Sequence, residues 1–191
     1  MARLKSEDKR NAILAAAVEV FAERGLSAPT LAISTAAGVA EGTLFTYFRT
    51  KEDLINAVYQ QIKLDLADAM MGGFPRRQTV SHRLQHVWDQ YIAWGVSHPL
   101  QQRVLKQIEV HGALTQESRE AGMAPFLEIQ RTAEEAIEQR IIRDLPLPFI
   151  GATFGTLAEM SMEFIRKDET RAELYRTSGF EMLWAAISRK K

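Results

Sequence analysis

Apolar residues recur at helical spacing along almost the whole chain, and no stretch alternates apolar and polar with period two. The first stripe runs through Ile13, Leu14, Ala17, Val18, Val20 and Phe21, and Gly25 ends it. Ser6, followed by Glu7 and Asp8, reads as the N-cap of that helix, with the acids facing its dipole. A short second helix is predicted behind Pro29, with Thr30 capping it through its hydroxyl. Leu31, Ile33, Ala36 and Ala37 are its packing positions. Gly38 stands where the chain must reverse, and Val39 is the apolar residue that pins the turn. Glu41 to Phe48 form a third helix. Leu44 and Phe48, four apart, share its inner face and leave Gly42, Thr43, Thr46 and Tyr47 outward. Thr50 and Asp53 are spaced as a capping box that opens a fourth helix. That helix carries Leu54, Ile55, Val58, Ile62, Leu64, Leu66, Met70 and Met71, and ends at Gly72-Gly73.

Beyond the loop Phe74 to Thr79, five more helices are predicted. They run from about Val80 to Ser97, Leu100 to Ala113, Gln116 to Arg143, Phe149 to Arg166 and Glu169 to Ser188. Gly122 and Pro125 disturb the third of these, and Pro146 and Pro148 introduce the fourth. The fold class is therefore all-α, with about nine helices. An N-terminal domain of three helices, residues 1–50, precedes a larger helical bundle, residues 51–191. The fourth helix is long enough to link the two.

A helix, a glycine turn and a second short helix make a helix-turn-helix, whose second helix lies in the DNA major groove. The outward residues suit that task. Gly42 and Thr43 are small enough to let the helix start approach a phosphate. Thr43, Thr46 and Tyr47 carry hydroxyls, and threonine methyls fit a thymine methyl. The run AAGVAEGTLFTYFRTKEDL closely resembles the helix-turn-helix signature of TetR-family transcriptional regulators. The preceding NAILAAAVEVFAERGLSAPT is similar to that family's first helix and glycine turn, and together they cover about the first third of the chain. Beyond it, the likeness lies in length and helical pattern. The resemblance implies DNA contacts at Thr30, Glu41, Gly42, Thr43, Phe45, Thr46, Tyr47 and Lys51. Three positions depart from the family's usual residues. Leu31 and Ala32 replace basic or polar groups, and Glu41 stands where Lys, Arg, Gln or Pro is often found. A carboxylate there repels phosphate but accepts from a cytosine amino group.

Net charge is zero, so DNA binding requires the cations to gather on one face. Arg3, Lys5, Lys9, Arg10, Arg49 and Lys51 are the candidates. The chain has no cysteine, which excludes disulfides and thiolate metal sites. Glu7 and Asp8 interrupt any signal-peptide core, and no apolar run approaches the roughly 18–20 residues of a membrane span. A cytoplasmic protein with no membrane partner is expected.

The segment FIGATFGTLAEMSMEFI is apolar on nearly all sides until Glu159 and Glu163, so several of its faces must be covered. Gly151, Phe154, Gly155, Ala158 and Met162 there, with Phe180, Leu183, Trp184 and Ile187 in the last helix, are candidates for a dimer interface. The resemblance implies a four-helix bundle formed by the last two helices of each subunit, and hence a palindromic operator. It also implies a small-molecule effector cavity in the C-terminal bundle. Trp88, Tyr91, Trp94, Met123, Phe126 and Phe154 either line such a cavity or fill plain core, and His111 is either a polar anchor or a surface residue. His82 and His86 are spaced for a metal, but no HExxH pattern or cysteine accompanies them, so no metal or other cofactor is expected. No nucleophile elbow, phosphate loop or catalytic dyad occurs in a supporting context, which argues against an enzyme. The expected function is a ligand-responsive regulator, most simply a repressor. The alternatives are an activator or partner-controlled regulator without a ligand, or a helical protein that does not bind DNA.

Overall fold

The computed structural model describes residues 2–189, with side chains described from Ser6 onward. Arg3 and Lys5 therefore lie outside the described side chains. Ten α-helices follow one another: α1 (Ala2–Arg24), α2 (Thr30–Ala36), α3 (Glu41–Tyr47), α4 (Lys51–Met71), α5 (Val80–Ser97), α6 (Pro99–His111), α7 (Gln116–Met123), α8 (Leu127–Glu138), α9 (Leu147–Lys167) and α10 (Ala172–Ile187). Short 3-10 turns at Ala124–Phe126 and Glu169–Arg171 precede α8 and α10. Among the described residues the β-type pairing is one isolated bridge, Ile142 with Ser188. The all-α reading holds.

Several local expectations are corrected. The predicted helix Gln116 to Arg143 breaks into α7, a 3-10 turn and α8, because Pro125 has no N–H and its ring blocks helical continuation. Its second half stops at Glu138, since Arg140 adopts φ 58° and the Ile141 N–H returns to the Ala136 carbonyl at 2.9 Å. Ser6 is not a cap: α1 extends back to Ala2, so Ser6, Glu7 and Asp8 sit inside it. Pro29, not Thr30, is the cap position of α2, and no side chain caps there. Leu31 faces solvent at 58% exposure, while Ile33 and Ser34 carry the buried face of α2.

Two compact units share the chain: Met1–Asp65 with His98–Ala124, and Leu66–Ser97 with Pro125–Lys191. In the first, α1 buries Ile13, Leu14, Ala17, Val20 and Phe21, and α2 and α3 add Ile33, Leu44 and Phe48. The capping box closes as its spacing requires. Thr50 N–H donates to Asp53 Oδ2 at 3.1 Å, and Asp53 N–H donates to Thr50 Oγ1 at 3.0 Å. Within this unit the buried face of α4 is fastened to the α6–α7 segment. Asn56 donates to the Ala113 carbonyl at 3.0 Å and accepts from the Thr115 N–H at 3.0 Å. One turn later, Gln60 donates to Ser118 Oγ at 3.1 Å. Gly122 lies against the Tyr59 ring so closely that a Cβ would come within 2.4 Å of it. Lys63 is buried on the same helix; burial pushes its ammonium pKa down, partly opposed by Glu109.

The second unit is built around Trp88 of α5, which is fully buried. Its ring meets Phe154 of α9 edge-on at 5.5 Å, and its indole N–H donates to the Arg176 carbonyl of α10 at 2.9 Å. Helix α10 reaches Trp88 because residue 179 is glycine. A Cβ there would come within 2.6 Å of the indole and 2.3 Å of Ser161 Oγ. The strand-like segment after α10 is held by Arg143 N–H to the Ile187 carbonyl at 2.7 Å and Arg189 N–H to the Ile141 carbonyl at 3.0 Å.

Candidate nucleic-acid interface

Helix α2, the turn and α3 form the helix-turn-helix the residue pattern predicts. Gly38 has φ +67°, a conformation cheap for glycine, and the Val39 N–H closes the turn on the Ser34 carbonyl at 3.0 Å. Leu44 and Phe48 are both buried, which fixes the rotation of α3. With that face inward, Gly42, Phe45 and Thr46 are exposed, and Glu41, Thr43 and Tyr47 are half-buried. An exposed phenylalanine at 41% on so short a helix leaves apolar area available to a partner.

Three side-chain contacts hold α3 in place. Thr30 Oγ1 donates to Glu41 Oε1 at 2.7 Å, joining the first residues of α2 and α3. Ser6 Oγ and the Tyr47 hydroxyl are 3.2 Å apart, joining α1 to the end of α3. The Arg10 guanidinium lies over the Phe48 ring, 5.6 Å from its centroid. Thr46 Oγ1 donates to the Gly42 carbonyl at 3.0 Å, so this hydroxyl is already satisfied within the helix. Sequence reasoning missed these ties. Ser6 and Tyr47 are 41 residues apart, and no local pattern connects them. Lys9, Arg10 and Arg49 are exposed and Lys51 is half-buried, so four of the candidate cations stand at the surface of this unit.

Gly42 has an informative environment. A Cβ built on it meets nothing within 4 Å, so none of the described residues requires a glycine there. Glycine inside a helix costs roughly 0.5–1 kcal/mol relative to alanine, and close backbone approach to a ligand is one setting that requires it.

The C-terminal candidates separate into groups. Trp88, Tyr91 and Phe154 are brought together, with Phe154 at 5.5 Å from Trp88 and 5.3 Å from Tyr91. Trp94 and Phe126 are buried. His111 is exposed and Met123 is 49% exposed, both in the first unit, so neither is enclosed. Of the interface candidates, Ala158, Met162, Phe180, Leu183 and Ile187 are at most 8% exposed and pack in the core of their own unit. Gly151 is exposed, and Phe154, Gly155 and Trp184 are half-buried. A Cβ on Gly151 or Gly155 meets nothing within 4 Å. The same two helices expose Phe149 (60%), Phe164 (47%), Leu174 (55%) and Met182 (54%), which were not singled out from the sequence. His82 Nδ1 is 2.8 Å from Thr79 Oγ1 and His86 Nε2 is 3.1 Å from the Met70 carbonyl, so one nitrogen of each ring is engaged. No group of three or more metal-ligating side chains occurs among the described residues. No helix among them is long and apolar enough to cross a membrane.

Comparison with known proteins gives this surface a context. Residues 13–58, covering most of α1, the helix-turn-helix and the start of α4, match the family described as bacterial regulatory proteins, tetR family. A fatty acid metabolism regulator protein of Bacillus subtilis (strain 168) is 30% identical over 82 residues. That match spans 42% of this chain and 42% of the Bacillus protein. The crystal structure of a tetR family transcription regulator from Shewanella sp. PV-4 superposes with a TM-score of 0.86 at 22% identity, covering 95% of this chain and 99% of that one. The TetR-like regulator LfrR from Mycobacterium smegmatis, solved in complex with proflavine, superposes with a TM-score of 0.67 at 19% identity, covering 96% and 99%. At these identities the structural likenesses speak for the fold. The matched N-terminal segment, residues 13–58, is similar to the N-terminal region of the tetR family of bacterial regulatory proteins.

Proposed function

We propose that the protein is a cytoplasmic, homodimeric repressor that binds a palindromic operator and is released by a small-molecule effector. The observation that carries the DNA-binding half is the outward face of α3. It presents an unforced glycine, an exposed phenylalanine and hydroxyl groups on a helix whose opposite face is locked in the core. On this reading Gly42, Thr43, Phe45, Thr46 and Tyr47 face the major groove, Glu41 meets a base edge, and Thr30 and Lys51 lie against the backbone. Residues 1–50 carry DNA binding, and residues 51–191 carry effector binding and dimerisation, with α4 between the two functions.

Dimerisation is supported by the exposed apolar residues of α9 and α10 together with Gly151 and Gly155, whose open Cα positions let a second backbone come close. A two-fold dimer sets two recognition helices about one DNA turn apart, or a little more, which makes the operator palindromic. Effector binding is supported by the aromatic group Trp88, Tyr91 and Phe154 and by the proflavine complex of LfrR, a protein of the same fold. The effector shifts the equilibrium by its differential affinity for two states, typically about 1–3 kcal/mol, and acts through the inner end of α4 on the spacing of the recognition helices.

Selecting duplexes from a random-sequence library with the purified protein tests the proposal. Enrichment of one palindrome, with log affinity falling linearly against log salt, is the expected result. No enrichment at low salt, with or without candidate effectors, would overturn it.

A further inference from the structure

The bond between Thr30 and Glu41 changes what the start of α3 offers to DNA. A threonine hydroxyl has one proton, and Thr30 commits it to Glu41 Oε1 at 2.7 Å. While that bond holds, the Thr30 side chain has no hydrogen to give a phosphate. Among the described residues no cation pairs with the Glu41 carboxylate. One of its oxygens is engaged by Thr30, and the other remains an acceptor. Such a group is repelled by every nearby phosphate, and the base edge that satisfies it best is a cytosine amino group. Without Thr30, the three rotatable bonds of Glu41 would let it swing to solvent and escape the repulsion.

Taking α3 as the recognition helix, on which this inference rests, we propose that the Thr30–Glu41 pair is a discrimination device. Glu41 lowers affinity for DNA in general and is compensated only where the operator presents a cytosine amino group. Thr30 is a positioning residue that holds the carboxylate in place. The pair therefore sets the ratio of operator to random-sequence binding more than it sets operator affinity.

The test compares the full-length wild type with Glu41→Gln, Thr30→Val and Thr30→Ser. Each is titrated against the selected operator and a random-sequence duplex at one salt concentration, and the library selection is repeated with Glu41→Gln. Glu41→Gln should bind the random duplex about tenfold tighter with little gain on the operator, the size expected for removing one charge near phosphates. Its selected sequences should exchange cytosine for adenine at one symmetric position, because glutamine pairs with adenine. Thr30→Val should lower the ratio in the same direction, and Thr30→Ser, which keeps the proton, should restore it. An unchanged ratio in Glu41→Gln, or a parallel loss on both duplexes as a purely structural role would give, overturns the proposal. Absence of salt-dependent binding by the wild type is a separate result, which removes the recognition-helix reading itself.

Discussion

Replacing Gly42 with alanine should move stability and DNA binding in opposite directions. The residue lies in the first turn of α3, has an ordinary helical backbone and is exposed, and a Cβ added there touches nothing within 4 Å. The added methyl therefore costs no packing and removes backbone freedom from the unfolded chain. Helix-interior values for this exchange are about 0.8–1.0 kcal/mol, and a first-turn position should give about half, or about 0.5 kcal/mol. For a chain of this size that corresponds to a rise in melting temperature of about 1–2 °C. On the proposed function, the same methyl stands where the α3 backbone approaches the duplex. A loss of about threefold per half-site becomes about tenfold for a dimer engaging two, because the free energies add. Thermal unfolding followed by circular dichroism reads the first effect, and operator titration at fixed salt reads the second. Loss of stability would show that residue 42 is packed against something the structure does not show. Unchanged operator affinity alongside the gain in stability would refute the claim that α3 approaches DNA at this point.

The other expected outcomes test different parts of the fold. Gly155→Leu should leave the monomer folded, since the space beside the Cα is open, yet shift the molecular mass measured by light scattering from dimer to monomer. Asn56→Ala should destabilise the protein by about 2–4 kcal/mol in denaturant titration, because it leaves the Ala113 carbonyl and the Thr115 N–H without their partner. Gly179→Ala should cost about 1–3 kcal/mol and perturb tryptophan fluorescence, since its methyl would collide with the rigid Trp88 indole and with Ser161. Burial lowers the folded-state pKa of Lys63, so just below the ordinary lysine value of 10.5 the unfolded chain binds more protons than the folded one. Stability should therefore gain from this residue as pH rises through that window, and the gain should be missing in Lys63→Gln when the two unfolding curves are compared.

The N-terminal helices were legible because their signals are local. Gly38 marks a reversal that a positive φ must make, Leu44 and Phe48 fix the rotation of α3 by their spacing, and Thr50 with Asp53 forms a cap within four residues. What escaped was what depends on contact between distant segments. Thr30 has the chemistry of a cap, and Pro29 before it makes that reading natural. Yet its hydroxyl reaches eleven residues ahead and donates to the charged Glu41 carboxylate. Leu31 looked like a packing residue because it is apolar, but the face of so short a helix is set by which residues Ile33 and its neighbours meet.

Helix α9 shows the same limit from the other side. Its apolar residues surround the axis, so periodicity alone assigns no face to the core and none to a partner. The structure makes that division: Ala158 and Met162 are fully buried within their own unit, while Phe149 and Phe164 remain exposed. The exposed apolar side chains mark the side a second subunit has reason to cover. The two glycines add a second argument, since none of the described residues needs either of them and each costs helix stability. A glycine that weakens its own helix and has open space at its Cβ leaves room for a second body to approach. On the proposed function, that body is the DNA duplex for Gly42 and a second copy of α9 for Gly151 and Gly155. This is why Gly155→Leu and Gly42→Ala should each leave the fold intact while breaking a different association.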